Sequence, residues 1–164
     1  MADARPILIT GTAGFIGFHL AERLLAAGRS VVGVDNFNDY YDVSLKEARQ
    51  VKLMASPAFT GVRGDICDAK LVDGIFDEHG PTVVIHLAAQ AGVRYSLDHP
   101  FAYLKANLEG FLVMLEAARH RGVERFIYAS SWSVYGGNTK LPFSEDDPVG
   151  TPVSLYAATK RAEN

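Results

Sequence analysis

Apolar and polar residues recur along this chain with two different periods. Short apolar runs predict β-strands at about residues 6–10, 31–34, 59–62, 82–87 and 125–129. Apolar residues at helical spacing predict helices that begin near residue 15, cover 43–54, 70–78 and about 100–120, and begin again near 152. This alternation indicates an α/β fold with a doubly wound parallel sheet, in the strand order 3-2-1-4-5.

Individual positions add detail to the predicted strands and helices. The run over 82–87 is continuous, as expected of a strand buried on both faces of a sheet. Ser44 is a candidate cap for the second helix, and Gly122 is expected to end the helix over 100–120. The apolar residues at helical spacing in that helix are Phe111, Leu112, Leu115 and Ala118.

The first strand leads directly into a turn with glycines at 11, 14 and 17. A helix follows, so a pyrophosphate can lie against its N-terminus without obstruction from a side chain. Asp35 follows the second apolar run, where its carboxylate can accept hydrogen bonds from both ribose hydroxyls and would repel a 2′-phosphate. The pattern predicts a dinucleotide site that favours NAD over NADP. The spacing is GxxGxxG rather than GxGxxG, and the alternative is that the glycines serve tight turns alone.

Composition limits the classes of function. A chain of 164 residues with 48% hydrophobic and 21% charged residues can form one compact domain. A net charge of −3 without a Lys/Arg run argues against nucleic acid or an anionic membrane surface as a partner. Cys67 is the single cysteine, residues 1–5 contain no secretion signal, and no apolar run reaches the roughly 18 residues of a membrane span. We therefore expect a cytoplasmic protein.

The last helical pattern stops at Asn164 without a capping glycine or a following strand. We expect residues 1–164 to form an incomplete Rossmann domain without a C-terminal substrate domain. A fragment, a truncated gene product and part of a longer protein are all compatible with this pattern.

Candidate catalytic residues follow the fifth strand. Tyr156 and Lys160 are four residues apart, so both side chains lie on one helix face. An ordinary tyrosine has a pKa of about 10, and a nearby ammonium favours the ionised phenol that acts as a base. Ser131 lies at the carboxyl end of the fifth strand, where open α/β sheets bind ligands, and can hydrogen-bond a substrate oxygen. An ordinary exposed helix face and simple turn chemistry at Ser130 and Ser133 are the alternatives.

Together these features resemble the extended short-chain dehydrogenase/reductase family, and within it the NAD-dependent nucleotide-sugar epimerases. Three segments look like UDP-glucuronate 4-epimerases; they are DNFNDYYDVSLK at 35–46, AQAGVRYS at 89–96 and PFSEDDP at 142–148. The resemblance covers the whole chain but only about the first half of such an enzyme.

The resemblance implies a role for each matching residue. The residues implied to bind NAD are Gly11, Gly14, Phe15, Ile16 and Gly17 at the pyrophosphate, Asp35 and Asn36 at the ribose, Asp65 and Ile66 at the adenine, and Leu87, Ala88, Ala89, Gln90 and Asn107 near the nicotinamide. Tyr156 is implied to be the base, and Lys160 to hold the nicotinamide ribose. Ser131 is implied to contact the sugar 4-oxygen, with Ser133 as a second substrate contact. Arg94 is a candidate partner for a sugar carboxylate or a phosphate, or else a loop-bracing arginine.

The implied reaction is NAD-dependent epimerisation at C4 of a UDP-sugar, most simply UDP-glucuronate, through a 4-keto intermediate. No metal is expected, because the five histidines lack ligand spacing and His86 suits a buried strand. Related dehydratases have Asp-Glu where this chain has Trp132-Ser133, which disfavours dehydration; Trp132 either crowds the sugar or packs beneath the loop. The alternatives are an inactive NAD-binding fragment and a related reductase or dehydratase. A homodimer through the helices near 100–120 and 152–164 is also implied.

Overall fold

A computed structural model describes residues 5–164 and contains one parallel sheet of five strands. The strands are β1 (Ile7–Thr10), β2 (Val31–Asp35), β3 (Phe59–Arg63), β4 (Val83–His86) and β5 (Arg125–Tyr128). Their order is β3-β2-β1-β4-β5, and all four pairings are parallel. The predicted doubly wound topology is therefore confirmed. Residues 1–4, which carry most of the segment screened for a secretion signal, lie outside the described residues.

Helical segments connect the strands. They are α1 (Phe15–Ala26), α2 (Val43–Met54), α3 (Ala69–His79), α4 (Tyr95–Asp98), α5 (Pro100–Tyr103), a π-helix (Leu104–Glu109), α6 (Gly110–His120), a 3-10 turn (Trp132–Tyr135) and α7 (Leu155–Ala162). Within the described part of the chain, no helix has both the length and the apolar character needed to cross a membrane.

Each face of the sheet carries its own core. Leu8 and Val84 belong to a cluster that includes Met114 of α6, whereas Ile7 and Ile9 belong to a cluster with Phe18 of α1. Successive side chains of a strand point to opposite faces, so neighbouring residues of β1 contribute to different clusters. Burial on both sides is the physical reason that β1 and β2 are apolar runs rather than alternating sequences.

One local prediction is wrong, and two further details could not be read from the pattern. The second helix is capped by Asp42, whose carboxylate accepts from the Ser44 backbone N–H at 2.9 Å, so Ser44 is not the cap. Leu112 and Leu115 face outward and are 58% and 38% exposed. The helical stretch over 100–120 forms as expected but contains the π-helix, which the 3.6-residue period does not anticipate.

Candidate active site

The glycine-rich turn connects β1 to α1 at the carboxyl edge of the sheet. Gly11 has φ +77° and donates to the Val34 carbonyl at 2.7 Å, and Gly14 donates to the Gly11 carbonyl at 3.0 Å. A Cβ on Gly11 would lie 3.0 Å from the Ala88 nitrogen, and a Cβ on Gly17 would collide with the Gly11 carbonyl. The turn therefore requires glycine for its backbone conformation and for the close approach of α1.

The N-terminus of α1 is open to a ligand. Gly14 caps the helix without a side-chain hydrogen bond, and the first turn contains no acidic residue. Phe15 and Ile16 are 66% and 64% exposed. The first N–H groups of a helix lack intrahelical partners and carry the positive end of its dipole, so this end suits an anion such as a pyrophosphate.

Asp35 connects the end of β2 to the glycine turn. Its carboxylate accepts from the Ala13 N–H at 3.0 Å and from the Phe37 N–H at 2.9 Å. Phe37 adopts φ +54°, an unusual value for a bulky residue, and its side chain is buried. Each carboxylate oxygen accepts one of these bonds and keeps acceptor capacity for a ligand hydroxyl.

The end of β4 is held by one hydroxyl. Thr10 Oγ1 accepts from the N–H groups of Leu87 at 3.0 Å and Ala88 at 2.9 Å, and lies 3.0 Å from His86 Nδ1. Because the oxygen already accepts twice, its proton points to His86 Nδ1, which must then be unprotonated. Burial, with a contribution from the Lys160 charge, lowers the pKa of His86 to about 3. His86 is thus a satisfied core residue, and residues 5–164 contain no cluster suited to a metal ion.

Asn107 lies in the π-helix and is buried. Its amide oxygen accepts from the Gln90 N–H at 2.8 Å, and its amide nitrogen donates to the Gln90 carbonyl at 3.1 Å and to Thr159 Oγ1 at 3.0 Å. Thr159 Oγ1 in turn donates to the Tyr156 carbonyl at 2.9 Å. One amide therefore connects the segment after β4 to α7.

A cleft of about 420 Å³ opens at this edge of the sheet. Ten of the predicted cofactor residues line it; they are Gly11, Gly14, Asp35, Asn36, Asp65, Ile66, Leu87, Ala88, Ala89 and Gln90. The predicted residues outside this lining are Phe15, Ile16, Gly17, Arg94, Asn107, Ser131, Ser133, Tyr156 and Lys160.

Several lining residues were missed by the sequence analysis. Tyr40, Tyr41 and Lys46 come from the β2–α2 region, and Tyr95 and Lys105 from the segments after β4. Lys46 donates to the carbonyl and the side-chain oxygen of Asn38 at 2.7 and 2.8 Å, and burial lowers its pKa. A basic residue in the first turn of a helix, against the dipole, is a sequence signal that could have identified Lys46.

The adenine end of the cleft, as the resemblance assigns it, contains an ion pair. Lys105 Nζ lies 3.4 Å from Asp65 Oδ2, and the Cys67 N–H donates to Asp65 Oδ1 at 3.0 Å. Partial burial of Asp65 opposes ionisation, but these two partners outweigh it and hold the pKa of Asp65 below its ordinary value. Asp65 is therefore an anionic hydrogen-bond acceptor at neutral pH.

Helix α7 and its C-cap residue Glu163 place three titratable groups on one face. Tyr156 is half-buried, with its ring 6.1 Å from that of Tyr103 in an edge-to-face contact. Lys160 Nζ donates to the Ala129 carbonyl at 3.2 Å and to Glu163 Oε2 at 2.9 Å. Burial raises the pKa of Tyr103 to about 12, so it stays protonated. Glu163 is a functional candidate that the Tyr-x-x-x-Lys pattern did not reveal.

The turn after β5 carries the predicted substrate contacts. Ser131 Oγ accepts from the Ser133 N–H at 3.2 Å and caps the 3-10 turn, and Ser133 itself is buried. Trp132 is 71% exposed and stacks on Phe143 with ring centroids 6.5 Å apart. Trp132 thus contacts the 142–148 segment through Phe143 while most of its surface is exposed, and both interpretations of Trp132 stay open. Arg94 is exposed at the start of α4.

The parallel sheet, the glycine turn and the carboxylate at the end of β2 define a Rossmann-type domain with a site typical of dinucleotides. The chain belongs to the GDP-mannose 4,6-dehydratase family, whose model matches residues 8–164. The predicted family resemblance is thereby confirmed.

Several relatives are named as 4-epimerases. The chain is 51% identical over 157 residues to UDP-glucuronate 4-epimerase 3 of Arabidopsis thaliana, covering 95% of this chain and 36% of that protein. It is 50% identical over 155 residues to a probable UDP-glucuronate 4-epimerase of Rhizobium meliloti, covering 94% and 46% respectively. The chain thus spans about half or less of the length of these relatives.

Solved structures of 4-epimerases are also similar to this chain. A mutant UDP-glucuronic acid 4-epimerase from Bacillus cereus, in complex with UDP-4-deoxy-4-fluoro-glucuronic acid and NAD, superposes with a TM-score of 0.86 at 36% identity over 96% of this chain and 49% of that one. UDP-glucose 4-epimerase from Brucella ovis in complex with NAD gives 0.83 at 31% identity, over 98% and 46%.

Proposed function

We propose that this chain is the NAD-binding part of a UDP-sugar 4-epimerase that interconverts UDP-glucuronate and UDP-galacturonate. The single observation that carries the proposal is one cleft that the glycine turn and Asp35 line, with the helix of Tyr156 and Lys160 attached to its lining residue Gln90 through Asn107. The relatives named above support the same class of reaction.

The residues present fit a dinucleotide. A side chain in the turn would fill the space against the Gly11 carbonyl and the Ala88 backbone, and Asp35 retains acceptor capacity beside it. In the proposed complex, the turn and the start of α1 bind the pyrophosphate, Asp35 the adenosine ribose and Asp65 the adenine. The same carboxylate at Asp35 disfavours the 2′-phosphate of NADP by like charge.

Bound NAD⁺ would supply a hydride acceptor and donor for the sugar C4. In the proposed reaction, Tyr156 removes the proton from the 4-hydroxyl and returns it after the 4-keto sugar has rotated to present its other face. Lys160 lies on the same helix face and its charge favours the phenolate. Ser131, whose O–H is free to donate while its oxygen caps the 3-10 turn, hydrogen-bonds the sugar 4-oxygen.

Epimerisation is favoured over dehydration although the family takes its name from a dehydratase. Elimination of water of that type needs an acid and a base after β5, and this chain has Trp132 and Ser133 there. Neither side chain is a carboxylic acid.

A homodimer remains part of the proposal, with the exposed Leu112 and Leu115 of α6 as its candidate contact.

The test is incubation of this polypeptide, and of a version extended to the length of its relatives, with NAD⁺ and UDP-glucuronate. UDP-galacturonate without net accumulation of NADH is the expected product, and the Tyr156→Phe variant should lose at least a hundredfold in turnover. Turnover within threefold of the parent would show that Tyr156 is not the base. Net NADH formation would indicate a dehydrogenase instead.

A second candidate function is NAD binding without turnover. It is favoured by the chain covering only 36% to 46% of the length of the named relatives. Saturable NAD⁺ binding by the 164-residue polypeptide, combined with product formation by the extended version alone, would assign this role to the chain.

A further inference from the structure

A buried ion pair stands beside the proposed base. Lys160 Nζ and Glu163 Oε2 are 2.9 Å apart, and their side chains are 5% and 1% exposed. Tyr156 and Lys160 lie four residues apart in α7 and Glu163 is its C-cap residue, seven positions after Tyr156, so the three residues share one face. The reaction proposed above uses the first two and leaves Glu163 without a role.

The carboxylate is held in place by the surrounding chain. Asn164, the next residue, accepts from the Tyr128 hydroxyl at 3.1 Å and donates to Ser130 Oγ at 3.1 Å. These contacts attach the end of α7 to β5. Lys160 also donates to the Ala129 carbonyl at the end of the same strand. Lys160 therefore has a second fixed acceptor besides Glu163, and the residue that follows Glu163 is attached to β5 and the segment after it.

The groups packed around the pair cannot replace the carboxylate. His86 of β4 stays neutral because burial and the Lys160 charge lower its pKa to about 3. Tyr103 of α5, whose ring contacts that of Tyr156 rather than the pair itself, stays protonated because burial raises its pKa to about 12. Burial raises the pKa of Glu163 as well, against the opposing effect of Lys160. A lysine at this depth without a counterion favours its neutral form.

We propose that Glu163 is a positioning residue that keeps the Lys160 ammonium charged and fixed on the helix face that it shares with Tyr156. Without the carboxylate, Lys160 loses its proton and the phenol loses the charge that favours its ionised form. The proposal rests on the proposed role of Tyr156 as the base. Its test, however, observes the phenol directly and requires no turnover.

The experiment is a pH titration of the 164-residue polypeptide labelled with ζ-¹³C tyrosine and followed by NMR. The chain has seven tyrosines, and the Tyr156→Phe variant identifies the resonance of interest. The Lys160 ammonium lies one helical turn from Tyr156 and the Glu163 carboxylate two turns, about 6 and 10 Å along the axis. At an effective dielectric near 20, their opposite effects on the phenol leave a net shift of about one pH unit. In Glu163→Gln, the Tyr156 midpoint should therefore rise by about one unit, and Glu163→Asp should keep it near that of the parent.

A double-mutant cycle separates this role from a structural one. In a Lys160→Met background, where no ammonium remains, Glu163→Gln should not raise the Tyr156 midpoint. Lys160→Met/Glu163→Leu removes both charges together, which buried pairs commonly tolerate, and serves as the folded reference. A midpoint that stays or falls in Glu163→Gln, or rises equally without Lys160, overturns the proposal. Absence of epimerase activity in the extended version would instead count against the proposed function.

Discussion

Replacing Gly17 by alanine tests the close packing of α1 on the glycine turn. The added Cβ would lie 2.8 Å from the Gly11 carbonyl carbon and 3.0 Å from Thr12 Cα, and closer still to the Gly11 carbonyl oxygen. All three atoms belong to the backbone, so no side chain can rotate away. The helix must move outward by about 1 Å, or the turn must deform.

The cost can be estimated from the contacts that would change. Overpacking of this kind costs about 2 kcal/mol, and displacement of the Gly11 carbonyl weakens its 3.0 Å hydrogen bond from the Gly14 N–H by about 1 kcal/mol. The expected loss in the free energy of unfolding is about 3 kcal/mol. With a urea m-value of about 2 kcal/mol per molar, the midpoint should fall by about 1.5 M. NAD⁺ affinity should fall at least tenfold because the turn is displaced.

Gly74→Ala is the matched control. Gly74 lies inside α3, and a Cβ there would meet no atom within 4 Å. The same chemical change should therefore stabilise the protein by about 0.5–1 kcal/mol through helix propensity. Urea unfolding followed by circular dichroism, with NAD⁺ titration at low urea, checks both variants. Equal midpoints for Gly17→Ala and the parent, or a loss in Gly74→Ala as large as that in Gly17→Ala, would refute the packing argument.

Three further outcomes are expected. The pKa of His86 lies near 3 in the folded state and near 6.5 in the unfolded state, so its contribution to stability is complete above pH 6.5 and is lost as pH falls, by about 2 kcal/mol between pH 7 and 5. In His86→Gln this part of the pH dependence of the urea midpoint should be absent, and a pH dependence as steep as that of the parent would contradict the prediction. Asn107→Ala should lower the free energy of unfolding by about 3 kcal/mol through three lost hydrogen bonds, and a loss below about 1 kcal/mol in urea unfolding would contradict their count. Asp35→Ala should reduce the preference for NAD⁺ over NADP⁺ at least tenfold in binding titrations, and an unchanged ratio would reject its role.

The elements closest to prediction are those whose signal is local. β1 and α2 begin and end within one residue of the expected positions, because a strand buried on both faces must be an apolar run and a helix with one buried face must repeat every 3.6 residues. The glycine turn was also visible, since only glycine meets its backbone requirements. Ten predicted cofactor residues line the cleft because they lie at or after the carboxyl ends of strands, and these ends meet at one edge of the sheet.

Other parts of the site depend on contacts between distant segments. Arg49 of α2 reaches back to the Ala13 carbonyl at 3.0 Å and to the Tyr41 hydroxyl at 3.0 Å, which no helical period reveals. The π-helix around Asn107 deviates from the local period to place one amide between Gln90 and Thr159.

The amino-acid sequence by itself determined the doubly wound sheet, the position of the glycine turn and the residues at the ends of the strands, because each follows from a short-range pattern of burial or backbone freedom. The tertiary structure alone decided the left-handed conformation of Phe37, the outward orientation of Trp132 and the burial of Glu163 against Lys160. Those features depend on which distant side chains exclude water at each point, and that information is distributed over the whole fold.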